Sequence, residues 1–149
     1  MKYEINQDTI ALCPITRNVS KVIELDREFI VSKSTTKIME DSCAYFGSTL
    51  TGRMQGTKNL IGVSHKAPII VEEASDIIFF PTSSSRKEEN CFWLRLKYIE
   101  KYYKSGDKIT VEFQNNHTLN LNLSYGIIDN QILRATRLES VLRNRKTHN

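Results

Sequence analysis

The chain has 149 residues, 40% hydrophobic and 26% charged, which fits one folded domain with one good core and excludes wholesale disorder. Lys and Arg number 21 against 17 Asp and Glu, a net charge of +4 that mildly favours a polyanionic partner. The longest apolar run, Ile77 to Pro81, is far too short to span a bilayer, and Met1 to Ala11 alternates polar and apolar residues where a secretory leader needs an apolar core. Cys13, Cys43 and Cys91 form a sparse, odd set without a CxxC pair, which points to reduced thiols in a cytosol and not to a disulfide framework. A soluble, cytoplasmic protein is expected.

The first forty residues read as short strands. Thr9 to Leu12 stops at Pro14, Lys21 to Leu25 follows, and Glu28 to Val31 comes after an Asp26-Arg27 turn. From Asp41 to Thr57 the spacing predicts one helix, capped by Asp41 or Ser42, with Cys43, Phe46, Leu50 and Met54 on its apolar face. Ser48, Gly52 and Gly56 recur every four residues on the other side. That side is nearly bare, although each interior Gly costs about 1 kcal/mol relative to Ala. Such a face suits close approach by another backbone, of protein or of nucleic acid, and Arg53 flanks it.

After Gly62 the pattern returns to strands at Pro68 to Val71 and at Asp76 to Phe80, then to a polar loop over 83–90. Phe92, Leu94, Leu96 and Tyr98 alternate with Trp93, Arg95 and Lys97 as a strand. Lys108 to Leu123 reads as a hairpin turning at Gln114 to Thr118, where Asn115-Asn116 suits positions of positive φ. A last helix is predicted from near Asp129, with Ile128, Ile132, Ala135 and Leu142 as its core stripe. Arg134, Arg137 and Arg145 share another of its faces, and the tail past Arg143, lacking an apolar anchor, is expected to fray. The expected fold is α+β: a single domain, 1–149, rich in antiparallel strands with a central and a C-terminal helix.

Five segments taken in order carry a resemblance. They are Asp41 to Thr57, Ser64-His65-Lys66-Ala67-Pro68-Ile69, Phe80-Pro81-Thr82-Ser83-Ser84-Ser85-Arg86, Cys91-Phe92-Trp93-Leu94 and Asn130-Gln131-Ile132-Leu133-Arg134-Ala135-Thr136. In order and spacing they resemble the competence transcription factor ComK family over roughly residues 8 to 142. The resemblance implies an activator that binds AT-rich promoter boxes as an oligomer, mainly through the minor groove, and supports RNA polymerase at competence genes. Longer members carry a C-terminal apolar-aromatic segment recognised by the proteolytic adaptor MecA, which feeds ClpCP. The sequence given stops at Asn149 without that segment, so the resemblance does not extend to the adaptor route.

Within these blocks the basic residues are Arg53, His65, Lys66, Arg86 and Arg134, with Arg137 one turn further on. An isolated surface cation is usually just solvated. Here Ser64, Ser83, Ser84 and Gly52 accompany them, small residues that admit a phosphate backbone and can donate to it. Arg53, His65, Lys66, Ser83, Ser84, Arg86, Arg134 and Arg137 are therefore the expected DNA contacts, with Ser48, Gly52 and Gly56 as the close-approach face. No cofactor, metal or catalysis is expected. Cys43, Cys91, His65 and His117 lack the close pairs of a zinc site, and no nucleophile elbow or P-loop accompanies them. Phe46, Phe79 and Phe80 read as core, while Trp93 is left to a second core layer, an oligomer contact or DNA. The competing class is a structural or adaptor module with no specific DNA binding. An RNA-binding module is disfavoured for want of an RNP aromatic pair or a KH clamp.

Overall fold

In a computed structural model, described over residues 2–84 and 90–147, nine strands form two antiparallel sheets packed with three helices. Strands β1 (Thr9–Thr16), β2 (Val19–Glu24), β3 (Glu28–Val31), β4 (Ile69–Glu72), β5 (Ile77–Pro81) and β6 (Trp93–Arg95) make a sheet of order β3-β2-β1-β6-β5-β4. The second sheet has the order β7-β8-β9, from β7 (Ile99–Ser105), β8 (Lys108–Phe113) and β9 (Thr118–Leu121). The mixed, antiparallel α+β class is as the sequence predicts.

The larger sheet is buried on both faces. One face carries Leu12, Val22, Ile69, Val71, Ile77, Phe79 and Trp93 against helix α1 (Thr35–Tyr45). The other carries Ala11, Cys13, Ile23, Ile70, Ile78, Phe80 and Leu94 against the small sheet and the long helix α3 (Tyr125–Thr147). Alternate residues of one strand thus enter different cores, so β4 and β5 read as unbroken apolar runs. Trp93 is fully buried, which settles its role: it fills the second core layer.

The predicted 41–57 helix is two helices. Ser34 caps α1, its side chain accepting from Lys37 N, and the chain then breaks over Phe46 to Thr49. Gly47 sits there at φ 84, and Thr49 caps α2 (Leu50–Ile61) by accepting from Gly52 N at 2.9 Å. The two expected caps are otherwise employed. Asp41 pairs with Lys33 at 2.8 Å and with Lys37 at 3.2 Å, and Ser42 Oγ accepts from Ile5 N at 2.9 Å while donating to Ile38 O. Cys43, Leu50, Phe46 and Met54 still meet in one cluster, brought together by the turn instead of by helical phase.

Three further boundaries differ. β1 runs on through Pro14, because β6 pairs with it only at Ala11 and Leu12 and leaves no partner there needing a proline N–H. β6 ends at Arg95 in a short 3-10 turn, and the Arg95 guanidinium is buried, donating to Gln7 O at 3.0 Å over the Tyr98 ring. Helix α3 begins at Tyr125, with Ser124 Oγ accepting from Ile127 N, and continues past Arg143 to Thr147, where Lys146 pairs with Asp76 at 2.9 Å. The positive φ expected at Asn115 and Asn116 is present, 63° at each.

The glycines give a stability test. An L side chain at Gly47 enters a left-handed conformation, so Gly47→Ala should lose about 1–2 kcal/mol. At Gly56 an added Cβ meets nothing within 4 Å, so Gly56→Ala should hold or gain up to about 1 kcal/mol through helix propensity. Urea unfolding of both variants checks the pair, and a destabilised Gly56→Ala would mean that the bare face is filled within the monomer.

Candidate nucleic-acid interface

The expected contacts divide into two groups. The first surrounds a cleft of about 360 Å³ whose walls include Ser64, His65, Lys66, Ser84, Pro81 and Met54, with the buried Trp93 beneath. His65 is exposed and Lys66 half-buried, in the loop after α2; Lys66 has φ 51, a left-handed conformation that needs support. That support comes from α3. Gln131, 1% exposed, donates through Nε2 to Lys66 O at 2.9 Å and to Pro81 O at 2.8 Å. Arg134 donates to His65 O at 3.1 Å and to Gln131 Oε1 at 3.3 Å.

The two loops of the cleft are therefore fastened to one helix through a single buried amide. Its two N–H groups are both used, and its oxygen accepts from Arg134, as a buried polar group requires. The start of the 82–84 segment is held as well: Thr82 N donates to Phe92 O at 2.9 Å, and Phe92 N returns a bond to Thr82 Oγ1 at 3.1 Å. Ser83 is half-buried and offers its carbonyl to the Cys91 thiol at 3.6 Å. Arg137 is exposed on the outer side of α3. Arg86 lies outside the described residues.

The second group lines a groove of about 360 Å³ between α2 and α3, where Ser48, Gly52, Arg53 and Gly56 face Leu142, Arg145 and Lys146. Met54 is two residues from both glycines and so on the opposite side of α2 from them. The cleft and this groove flank one helix. Ser48 precedes α2, so only Gly52 and Gly56 belong to its face. Gly52 also has a local duty: a Cβ there would come within 2.9 Å of Thr49 Oγ1, the capping oxygen. Arg53 is half-buried with its Nε enclosed and without a partner among the described residues.

Gln131 was not among the predicted site residues, yet it had a signal. Ile128, Gln131, Ala135, Leu138 and Leu142 are the buried positions of α3, at alternating spacings of three and four, so Gln131 is a polar residue on the apolar stripe. Burial there demands partners, and the partners are the site loops.

His117 Nε2 lies 3.1 Å from Leu25 O, away from the cleft residues in sequence and partner. Among the described residues no group of three or more His, Cys, Asp or Glu could hold a metal ion. Burial pushes all three thiols up, Cys13 to about 12 and Cys43 and Cys91 to about 11. Thiolate is accordingly scarce at neutral pH. Reaction with a disulfide reagent at pH 7.5 should be slow for all three and should track global unfolding in urea; one fast thiol in the native protein would contradict this burial. Gln131→Leu keeps the volume but strands the carbonyls of Lys66 and Pro81, and should cost about 2–3 kcal/mol in urea unfolding. Loss below about 0.5 kcal/mol would show that the amide is not what fastens the loops.

Comparison with known proteins bears on the same surface. A protein of Bacillus subtilis (strain 168) described as "Competence transcription factor" is 35% identical over 150 residues, covering 98% of this chain and 78% of that protein. No solved structure matches the chain significantly. The family pattern described as ComK protein spans residues 1–147, which takes in both loops of the cleft, α2 and the whole of α3. The chain belongs to the ComK family.

Proposed function

We propose that this protein is a transcription activator of competence genes that binds AT-rich duplex DNA as an oligomer, mainly through the minor groove, and supports RNA polymerase there. Family membership and the description of the relative support the activator role. The observation that supports DNA as the ligand is the Gln131 clip, which holds His65 and Lys66 rigidly beside small Ser64 and Ser84 at one cleft mouth. AT tracts have a narrow minor groove of strongly negative potential, and cations inserted there read its width more than base identity.

Within this arrangement Lys66 and His65 reach the DNA. Arg134 acts chiefly as a positioning residue, since one end of its guanidinium is spent on His65 O and Gln131. Arg137 and Arg145, exposed along α3, add phosphate contacts, and Arg86 is a further expected contact. Arg53, walled into the α2–α3 groove, contributes field more than contact. A net charge of only +4 gives one copy weak hold on DNA, so two copies on phased boxes gain from raised effective concentration. The binding itself makes and breaks no covalent bond, and no catalytic step belongs to this function.

Gel-shift titrations at several salt concentrations test the proposal. Log affinity for an AT-box duplex should fall linearly with log salt, with a slope near −0.9 per neutralised phosphate. A GC-rich duplex of equal length should bind more weakly at every salt concentration. Lys66→Ala should weaken AT-box binding by about 1–3 kcal/mol and narrow the preference, whereas Arg137→Ala should weaken both duplexes equally and reduce the slope by about one. Equal affinity for the two duplexes would sink the proposal in favour of a protein-interaction module.

A further inference from the structure

Among the described residues four strands lie at a sheet edge, β3, β4, β7 and β9. Three of them are guarded. β4 is packed by α1 and α2, β7 presents the exposed Lys101 and Lys104, and β9 presents Thr118 and Asn120. Cover, charge and polarity keep a free strand from pairing with another chain. β3 has none of these at its centre. It contains neither Lys nor Pro, its ladder with β2 runs without a bulge, and Ile30 is 53% exposed.

The backbone of β3 is presented at fixed positions. Glu24 N donates to Arg27 O at 2.8 Å, and hydrogen-bonded pairs of the β2–β3 hairpin alternate from there, so Phe29 and Val31 turn their N–H and C=O groups to β2. Glu28 and Ile30 turn theirs away from the sheet. No hydrogen bond reaches those outward groups among the described residues.

We propose that β3 pairs with β3 of a second copy, antiparallel about a two-fold axis at Ile30, joining two six-stranded sheets edge to edge. An axis perpendicular to the sheet keeps like faces together, so only residues of the same face come opposite each other. At this register Ile30 exchanges both N–H···O bonds with Ile30 of the second copy, apolar side chain against apolar side chain, and Glu28 meets Ser32. Centring the axis on Phe29 would set Glu28 against Ile30, and centring it on Glu28 would oppose two carboxylates. The strand is thus its own complement at one register. Arg27 and Lys33, which approach at its ends, already hold Glu24 at 2.7 Å and Asp41 at 2.8 Å.

This deepens the oligomer reading above by naming the surface through which copies join. Four strand steps separate β3 from β5, whose Pro81 lines the cleft, so the join leaves both clefts free at the outer ends of the combined sheet. At about 4.8 Å per step the clefts lie roughly 43 Å apart along a flat sheet and closer along a twisted one, on the order of one turn of DNA.

The test uses the full chain without DNA, by sedimentation equilibrium over a range of concentrations and by cross-linking. The parent should show a reversible monomer–dimer equilibrium. Ile30→Lys should raise its dissociation constant about tenfold or more, since two like charges then meet at the axis. The side chain is exposed, so urea unfolding at a concentration where both are monomeric should match the parent's. Ile30→Cys should give a disulfide-linked dimer under mild oxidation, because a hydrogen-bonded antiparallel pair sets its Cα atoms about 5.5 Å apart. Ile15→Cys, 51% exposed but on β1, two strands inward, should not. The native thiols are buried and give little background. If Ile30→Lys dimerises as well as the parent, the β3 proposal is overturned and copies join elsewhere. Cross-linking of Ile15→Cys as fast as Ile30→Cys overturns it too, as does a parent that stays monomeric at every concentration. A single copy bound on AT-box DNA defeats the oligomer reading as well.

Discussion

One buried amide fastens both loops of the cleft to α3. Gln131 has two N–H groups, and the structure commits one to the loop that follows α2 and the other to the end of β5. Pro81 closes a strand paired with β6, but the loop after α2 has no such ladder, and Lys66 is held there at positive φ, a conformation that drifts away unless its neighbours over-determine it. Because the amide is enclosed, letting go of either carbonyl leaves an unpaired polar group in the core, which costs more than the bond itself contributes. The site loops are thus as well fixed as α3, and α3 is seated by Ile128, Ala135, Leu138 and Leu142.

The two-faced burial of the large sheet is what permits this. An antiparallel sheet with one wet face would expose alternate residues of β5, and its last residue, Pro81, would not come beneath a helix. Here α3 and the small sheet cover one face while α1 covers the other, and the helices α1 and α2 cross from one side to the groove beside α3. Arg95 shows the strictness of that enclosure. Its guanidinium is held by the carbonyls of Asn6 and Gln7 and by the Tyr98 ring, without a carboxylate in an ion pair among the described residues, and burial lowers its pKa.

Much of this was legible in the residues, for identifiable reasons. Strand periodicity located β1 to β5, and the Asn115-Asn116 pair announced its turn because few other residues tolerate positive φ. The helix break at Phe46 to Thr49 was obscured because Cys43, Phe46, Leu50 and Met54 keep a helical spacing across it; the same apolar residues serve a turn equally well once both helices face one core. Gly47 and Thr49, a left-handed stop followed by a cap, were the competing signal. β7 went unassigned because Lys101, Lys104 and Glu100 dilute its alternation, although Gly106, at φ 65 between paired Ser105 and Lys108, marks a two-residue hairpin. Gln131 required a different question, namely why a polar residue should stand on an apolar stripe.

The distribution of ion pairs shows where the positive charge is left unanswered. Lys21, Arg27, Lys33, Lys37, Lys101, Arg143 and Lys146 each have a carboxylate within 4.0 Å, so much of the positive charge is answered where it stands. On the side formed by α2, the loop after it and the flank of α3, the cations Lys58, Lys66, Arg134, Arg137 and Arg145 enter no ion pair among the described residues. The local field on that side follows those unanswered charges more than the total. Exposed pairs elsewhere contribute little stability, and their effect is to neutralise charge in their own regions.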